Sequence, residues 1–208
     1  MSQEQKQTLD EYIAEQKAKL AENDGCGNTH YNLGVALLAK GDWMDAERSF
    51  LEAVEHSPTL MEAYIQLGGI AMNRGDLDGC LNYNKLATQA RPLFATPYGN
   101  IGFVHMQRGE IKEAAKALER AVKLDPKFVQ AWSTLASVYL AEEDLERAAD
   151  ACEKAIALQP MFGPAYNNLA LVRLQEGKHA EAVELIDKAL TTGFEVHPDL
   201  LKEIEQYR

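Results

Sequence analysis

Two consecutive stretches decide the fold: ATPYGNIGFVHMQRGEIKEAAKALERAVKLDPKF (95–128) and VQAWSTLASVYLAEEDLERAADACEKAIALQPMF (129–162) align without a gap. Each has an aromatic at position 4 (Tyr98, Trp132) and an aliphatic at position 7 (Ile101, Leu135). Each has a small residue at position 8 (Gly102, Ala136), alanine at positions 20 and 27, and proline at position 32 (Pro126, Pro160). The same frame extends outward in both directions. Pro58 and Pro92 lie on the same 34-residue interval, which defines repeats at 27–60, 61–94, 95–128, 129–162 and 163–196 with no insertion. Position 27 is alanine in all five: Ala53, Ala87, Ala121, Ala155 and Ala189.

The spacing within one unit predicts two helices. Positions 4, 7, 8 and 11 form one apolar helical stripe, and positions 20, 24 and 27 form another. Small residues at 8, 20 and 27 allow the pair to approach closely, and larger side chains there would overpack the contact. Gly41, Gly75, Gly109 and Gly177 at position 15 suit a left-handed helix end, whereas repeat 4 carries Glu143 there. Asp42 and Asp76 are candidate caps for the second helix. The position-32 proline ends that helix, and Pro97 and Pro164 fall in a first turn, where proline is tolerated. Cys80 and Asn84 weaken the second stripe of repeat 2, so this repeat is expected to pack least tightly.

This combination resembles the tetratricopeptide repeat (TPR) family, whose signature is an aromatic, a Leu-Gly pair, small residues and a proline on a 34-residue period. The resemblance covers residues 27–196. Phe194 in place of proline and Arg173 at position 11 depart from it. It implies an all-α, right-handed α-solenoid of ten repeat helices. Residues 1–24 add an amphipathic helix with Leu9, Tyr12, Ile13, Gln16 and Leu20 on one stripe. Residues 197–208 add a capping helix with Leu200, Leu201 and Ile204. Terminal units of a repeat array need such caps, and the N-terminal helix is also a candidate for self-association or partner docking.

The resemblance further implies that the first helix of each repeat lines a concave groove, the expected site for a peptide or partner. Its candidate residues are Asn28, Tyr31, Asn32 and Val35 in repeat 1, and Ile65, Gln66, Gly69 and Met72 in repeat 2. Asn100, Phe103 and Met106 follow in repeat 3, Thr134 and Ser137 in repeat 4, and Asn167, Asn168 and Leu171 in repeat 5. Position 6 carries an amide or hydroxyl in every repeat, and an amide both donates and accepts, so a ladder for an extended peptide is expected. Gly69 and Gly99 are expected to leave shallow pockets. No Lys or Arg occupies positions 2, 5, 6 or 9, so the clamp that some TPR co-chaperones use on a chaperone's terminal carboxylate is not expected.

Composition bounds the function. The net charge of −11 disfavours phosphate backbones, so no nucleic acid is expected. No apolar run is long enough for a membrane span, and the polar start MSQEQKQTLDEY reads as no signal peptide. Cys26, Cys80 and Cys152 are an odd, scattered set that predicts neither disulfides nor a zinc site and fits a cytoplasmic setting. The five histidines show no metal-ligand spacing. His105 reads as a packing residue, Arg173 as paired with an acid, and Cys26 as the exposed thiol. No cofactor, metal or catalytic constellation is expected. The leading expectation is a non-enzymatic interaction module or adaptor for a protein or peptide partner. A self-assembling scaffold or an accessory subunit remains open, because repeat 3 is net basic (+2) and repeat 4 net acidic (−4).

Overall fold

Each 34-residue period makes the same pair of helices. The computed structural model describes residues 3–208, with side chains from Thr8 onward; residues 1 and 2 of the expected N-terminal segment lie outside it. Among the described residues there are twelve helices and no strand. They are α1 (Gln3–Glu22), α2 (Gly27–Lys40), α3 (Trp43–His56), α4 (Met61–Asn73), α5 (Leu77–Ala90) and α6 (Ala95–Gln107). The remainder are α7 (Ile111–Leu124), α8 (Val129–Ala141), α9 (Leu145–Leu158), α10 (Gly163–Gln175), α11 (His179–Thr191) and α12 (Pro198–Glu205). The fold is an all-α helical-repeat solenoid. The chain divides into two compact units, Met1–Asn100 and Ile101–Arg208.

Position 15 closes every first helix. Gly41 has φ +93°, and the N–H groups of Gly41 and Asp42 return to the carbonyls of Leu38 (3.0 Å) and Leu37 (2.9 Å). This is the left-handed end that satisfies otherwise orphaned carbonyls. Glu143 adopts the same conformation, with φ 60°, so the neighbouring hydrogen bonds hold a residue with a Cβ where glycine would be unstrained. Asp76 caps α5 by accepting from the Gly79 N–H (2.8 Å), and Asp144 caps α9 through Arg147 N–H (3.0 Å). Asp42 occupies the equivalent place in α3, but its side chain accepts no capping bond.

In repeats 1, 2 and 3, position 24 packs against position 8. Phe50, Asn84, Leu118, Cys152 and Ile186 are all fully buried. A Cβ on Gly34 would lie 2.7–2.9 Å from the Phe50 ring, and one on Gly102 would lie 2.5 Å from Leu118 Cγ. These glycines therefore make room for a facing side chain. Asn84, expected to loosen repeat 2, is instead held in place: its Nδ2 donates to the Cys80 carbonyl (2.9 Å) and its Oδ1 accepts from Asn100 Nδ2 (2.9 Å).

The position-4 aromatic links successive repeats. Tyr98 Oη donates to the Pro92 carbonyl (3.1 Å), Trp132 Nε1 to Pro126 (2.9 Å) and Tyr166 Oη to Pro160 (3.0 Å). Each bond reaches back six residues, so the carbonyl of the helix-breaking proline has a partner.

In the N-terminal unit, α1 buries Ile13 and Gln16. Ile13 joins Leu33, Leu37 and Phe50 in one apolar cluster, flanked by Leu9 and Leu20. Tyr12, placed on the same stripe by sequence, is 41% exposed; it lies one position beyond the buried face set by Leu9, Ile13, Gln16 and Leu20. In the C-terminal unit, Leu200 and Ile204 of α12 pack with Ile186, Ala189 and Val196. Phe194, which replaces the expected proline, packs against the same cluster.

Candidate functional site

In the N-terminal unit the first helices α2 and α4 present a mostly uncharged surface. Asn28, Asn32 and Gly69 are exposed, Val35 is 40% exposed, and Tyr31, Ile65, Gln66 and Met72 are half-buried. Tyr31 rests on Phe50 with ring centroids 5.7 Å apart, so its outer face is held rigidly. Gly69 lies mid-helix, and a Cβ there would meet nothing within 4 Å among the described residues. Gly99 differs in being buried.

The position-6 ladder is interrupted. Asn100 uses its Nδ2 on Asn84 Oδ1. In the C-terminal unit, Asn168 Nδ2 donates to the Ser133 carbonyl (3.0 Å) and Ser137 Oγ (2.9 Å), which ties α10 to α8. Thr134 Oγ1 donates to the Gln130 carbonyl (2.8 Å), and Ser137 Oγ to the Ser133 carbonyl (3.4 Å), each within its own helix. Of the five position-6 side chains, Asn32 and Gln66 are the two without a hydrogen bond to another described residue. The other candidates there are Phe103, 37% exposed, with Met106, Asn167 and Leu171 half-buried.

Other singled-out residues fall into structural roles. Arg173, only 16% exposed, pairs with Glu176 (2.9 Å), Glu181 (3.1 Å) and Glu153 (3.5 Å). His105 is half-buried and bonded to Glu110. Arg147 pairs with Asp144 (2.6 Å) and Glu142 (3.3 Å) and lies 4.2 Å from the centre of the Tyr139 ring. Burial, together with the hydrogen bond that the Tyr139 hydroxyl donates to the Glu119 carboxylate, pushes the pKa of that hydroxyl up to about 12.

The three cysteines are free. Burial pushes the Cys152 thiol up to about 12, and Cys80 is 2% exposed. Cys26 is half-buried at the start of α2, where its contact with the Thr29 side chain holds the thiol below its usual range. Because the thiolate is the reactive form, one thiol per folded chain should react promptly with a colorimetric disulfide reagent. Cys26→Ser should abolish that phase, with Cys80 and Cys152 reacting only after denaturation. A prompt reaction that survives Cys26→Ser would contradict this assignment.

With this geometry in place, the comparisons agree on a class. Tetratricopeptide repeat models match residues 31–92, 102–161 and 163–192. The chain belongs to the tetratricopeptide repeat family, whose fold is a protein–protein interaction module and whose members are generally non-enzymatic. Among solved structures, MamA is 27% identical over 77% of this chain and 94% of its own, with a TM-score of 0.68. MamA from Desulfovibrio magneticus RS-1 is 23% identical over 80% of this chain and 94% of its own, with a TM-score of 0.70. YrrB, described as a TPR protein with an unusual peptide-binding site, is 19% identical over 85% of this chain and 91% of its own, with a TM-score of 0.70. No curated protein sequence matches the chain. Among the described residues, no helix is long and apolar enough to cross a membrane.

Proposed function

We propose that this protein is a non-enzymatic adaptor that takes an extended, largely neutral segment of a protein partner across α2 and α4 of its N-terminal unit. Gly69 carries the reading. A glycine inside a helix costs about 1 kcal/mol relative to alanine. At Gly34 and Gly102 a facing side chain forbids a Cβ, but at Gly69 nothing among the described residues does. Space kept open at that expense suits the close approach of another backbone. Asn32 and Gln66, with uncommitted amides, supply donors and acceptors for that backbone, and Val35 and Met72 supply apolar contact. Met also adapts its shape to different partners.

A charge-driven self-assembling scaffold is less favoured. Four of the six acids of repeat 4 that would attract a basic neighbour pair within their own unit: Glu142 and Asp144 with Arg147, Asp150 with Lys154, and Glu153 with Arg173. The three free thiols suit a reducing compartment, so the cytoplasm is the proposed location.

The test is direct. Peptides selected from a random display library by the whole chain should lose at least tenfold in affinity for Gly69→Leu, which fills open space without disturbing the core. The Asn32→Ala/Gln66→Ala pair should weaken them by a similar factor. Unchanged affinity in both variants would overturn the proposal.

A further inference from the structure

The hairpin α2–α3 brings His30 against the Glu52–His56 pair that lies more than twenty residues further along the chain. One ligand atom each from His30 on α2 and from Glu52 and His56 on α3 lies within 4.8 Å of the others. Glu52 and His56 are one helical turn apart on the same face, with His56 Nε2 3.9 Å from Glu52 Oε2. The two imidazoles stack, with centroids 5.4 Å apart and planes 10° from parallel. The backbone of the α1–α2 loop closes one side, since a Cβ on Gly25 would lie 3.9 Å from His56 Nδ1.

We infer that His30, Glu52 and His56 form a binding site for a divalent transition-metal ion of the zinc type. Two imidazoles and one carboxylate are a donor set suited to Zn²⁺ and its neighbours rather than to Mg²⁺ or Ca²⁺. His30 has the supporting contact that metal-ligating histidines use: its Nε2 lies 2.6 Å from the Asp24 carbonyl. As donor to that carbonyl, Nε2 keeps the proton, which orients the ring and leaves the Nδ1 lone pair for a ligand. Donors around tetrahedral zinc sit about 3.4 Å apart, so the 4.8 Å spread must close by about 1.4 Å. His56 is exposed at the end of α3 and Glu52 is half-buried, so side-chain rotation supplies that movement. Three protein ligands leave a fourth position for water or for a donor from a bound partner. The ion would fasten α2 to the end of α3 beside the loop that carries α1.

The test uses Zn²⁺ alone on the full chain in a Cys26→Ser background, which removes the nearest thiol as a competing ligand. Calorimetry should give one ion per chain, weakened at least tenfold by His56→Ala and by Glu52→Gln. Imidazole ¹⁵N resonances of His30 and His56 should shift with Zn²⁺ and not with Mg²⁺, and affinity should fall toward acid because the ligands must be deprotonated. No binding at millimolar Zn²⁺ would overturn the site, as would affinity unchanged by His56→Ala. Peptide affinity is no part of this readout, so its outcome is separate from that of the adaptor proposal.

Discussion

Replacing Phe50 with alanine should lower the stability of the N-terminal unit by about 3–5 kcal/mol, the range for deleting a buried phenylalanine. The ring is 0% exposed. It fills the space that Gly34 leaves open, touches Tyr31, and shares a cluster with Ile13, Leu33, Leu37 and Leu67. Neither glycine nor the small neighbours Ala36 and Ala46 can move in to fill the hole, so a cavity penalty adds to the lost burial. Stability in repeat arrays is largely a sum of local terms, so the loss should appear first near α3. Trp43 opens α3 and reports on this unit, and in a Trp132→Phe background its fluorescence follows urea unfolding of this region. A midpoint corresponding to less than about 1 kcal/mol of loss would contradict the packing described.

Two adjacent glycines should respond with opposite signs. Gly68→Ala places a Cβ 2.5 Å from Asn84 Nδ2. Asn84 is fully buried, and its amide is committed to Cys80 and Asn100. Moving it strains the contact and unpairs buried polar atoms, so the variant should lose about 1–3 kcal/mol. Gly69→Ala meets no atom of the described residues within 4 Å and should gain about 0.5–1 kcal/mol from helix propensity alone. Thermal unfolding of the two variants side by side provides the measurement. A loss for Gly69→Ala would mean that something within the chain requires this glycine, and the argument that its space is kept for a partner would fail.

The repeat frame was legible because it is written in residue types that recur: the aromatic at position 4, the alanine at 27, the proline at 32. What recurs in structure but varies in chemistry was harder to see. Position 24 is fully buried in all five repeats, yet it is Phe, Asn, Leu, Cys and Ile in turn. Asn84 therefore read as a weakness, although Asn100 on the next helix completes its hydrogen bonding. The same blindness affected the position-6 ladder. Asn32, Gln66, Asn100 and Asn168 look equivalent along the chain, but the partners that occupy Asn100 and Asn168 come from other helices. Gly69 and Gly99 are the same residue type, and burial alone distinguishes them. His30 stands 22 residues before Glu52, so only the folded hairpin shows the cluster; the Glu52–His56 pair was the one visible trace.

The polar tip of the position-4 aromatic is an intermediate case. Trp132 among tyrosines looks like a size substitution, but the property kept is an N–H or O–H donor that reaches the proline carbonyl. His30 follows the same rule. It reaches six residues back to the Asp24 carbonyl, as Tyr98, Trp132 and Tyr166 reach their prolines.

The central claim is that the surface of α2 and α4 receives a partner's extended segment. Backbone amide chemical shifts of the whole chain, recorded with and without a selected peptide, test it most directly. The account predicts the largest changes at Asn32, Val35, Gln66 and Gly69 and in the side-chain amides of Asn32 and Gln66. Changes confined to α3 and α5, or to the chain ends, would contradict it.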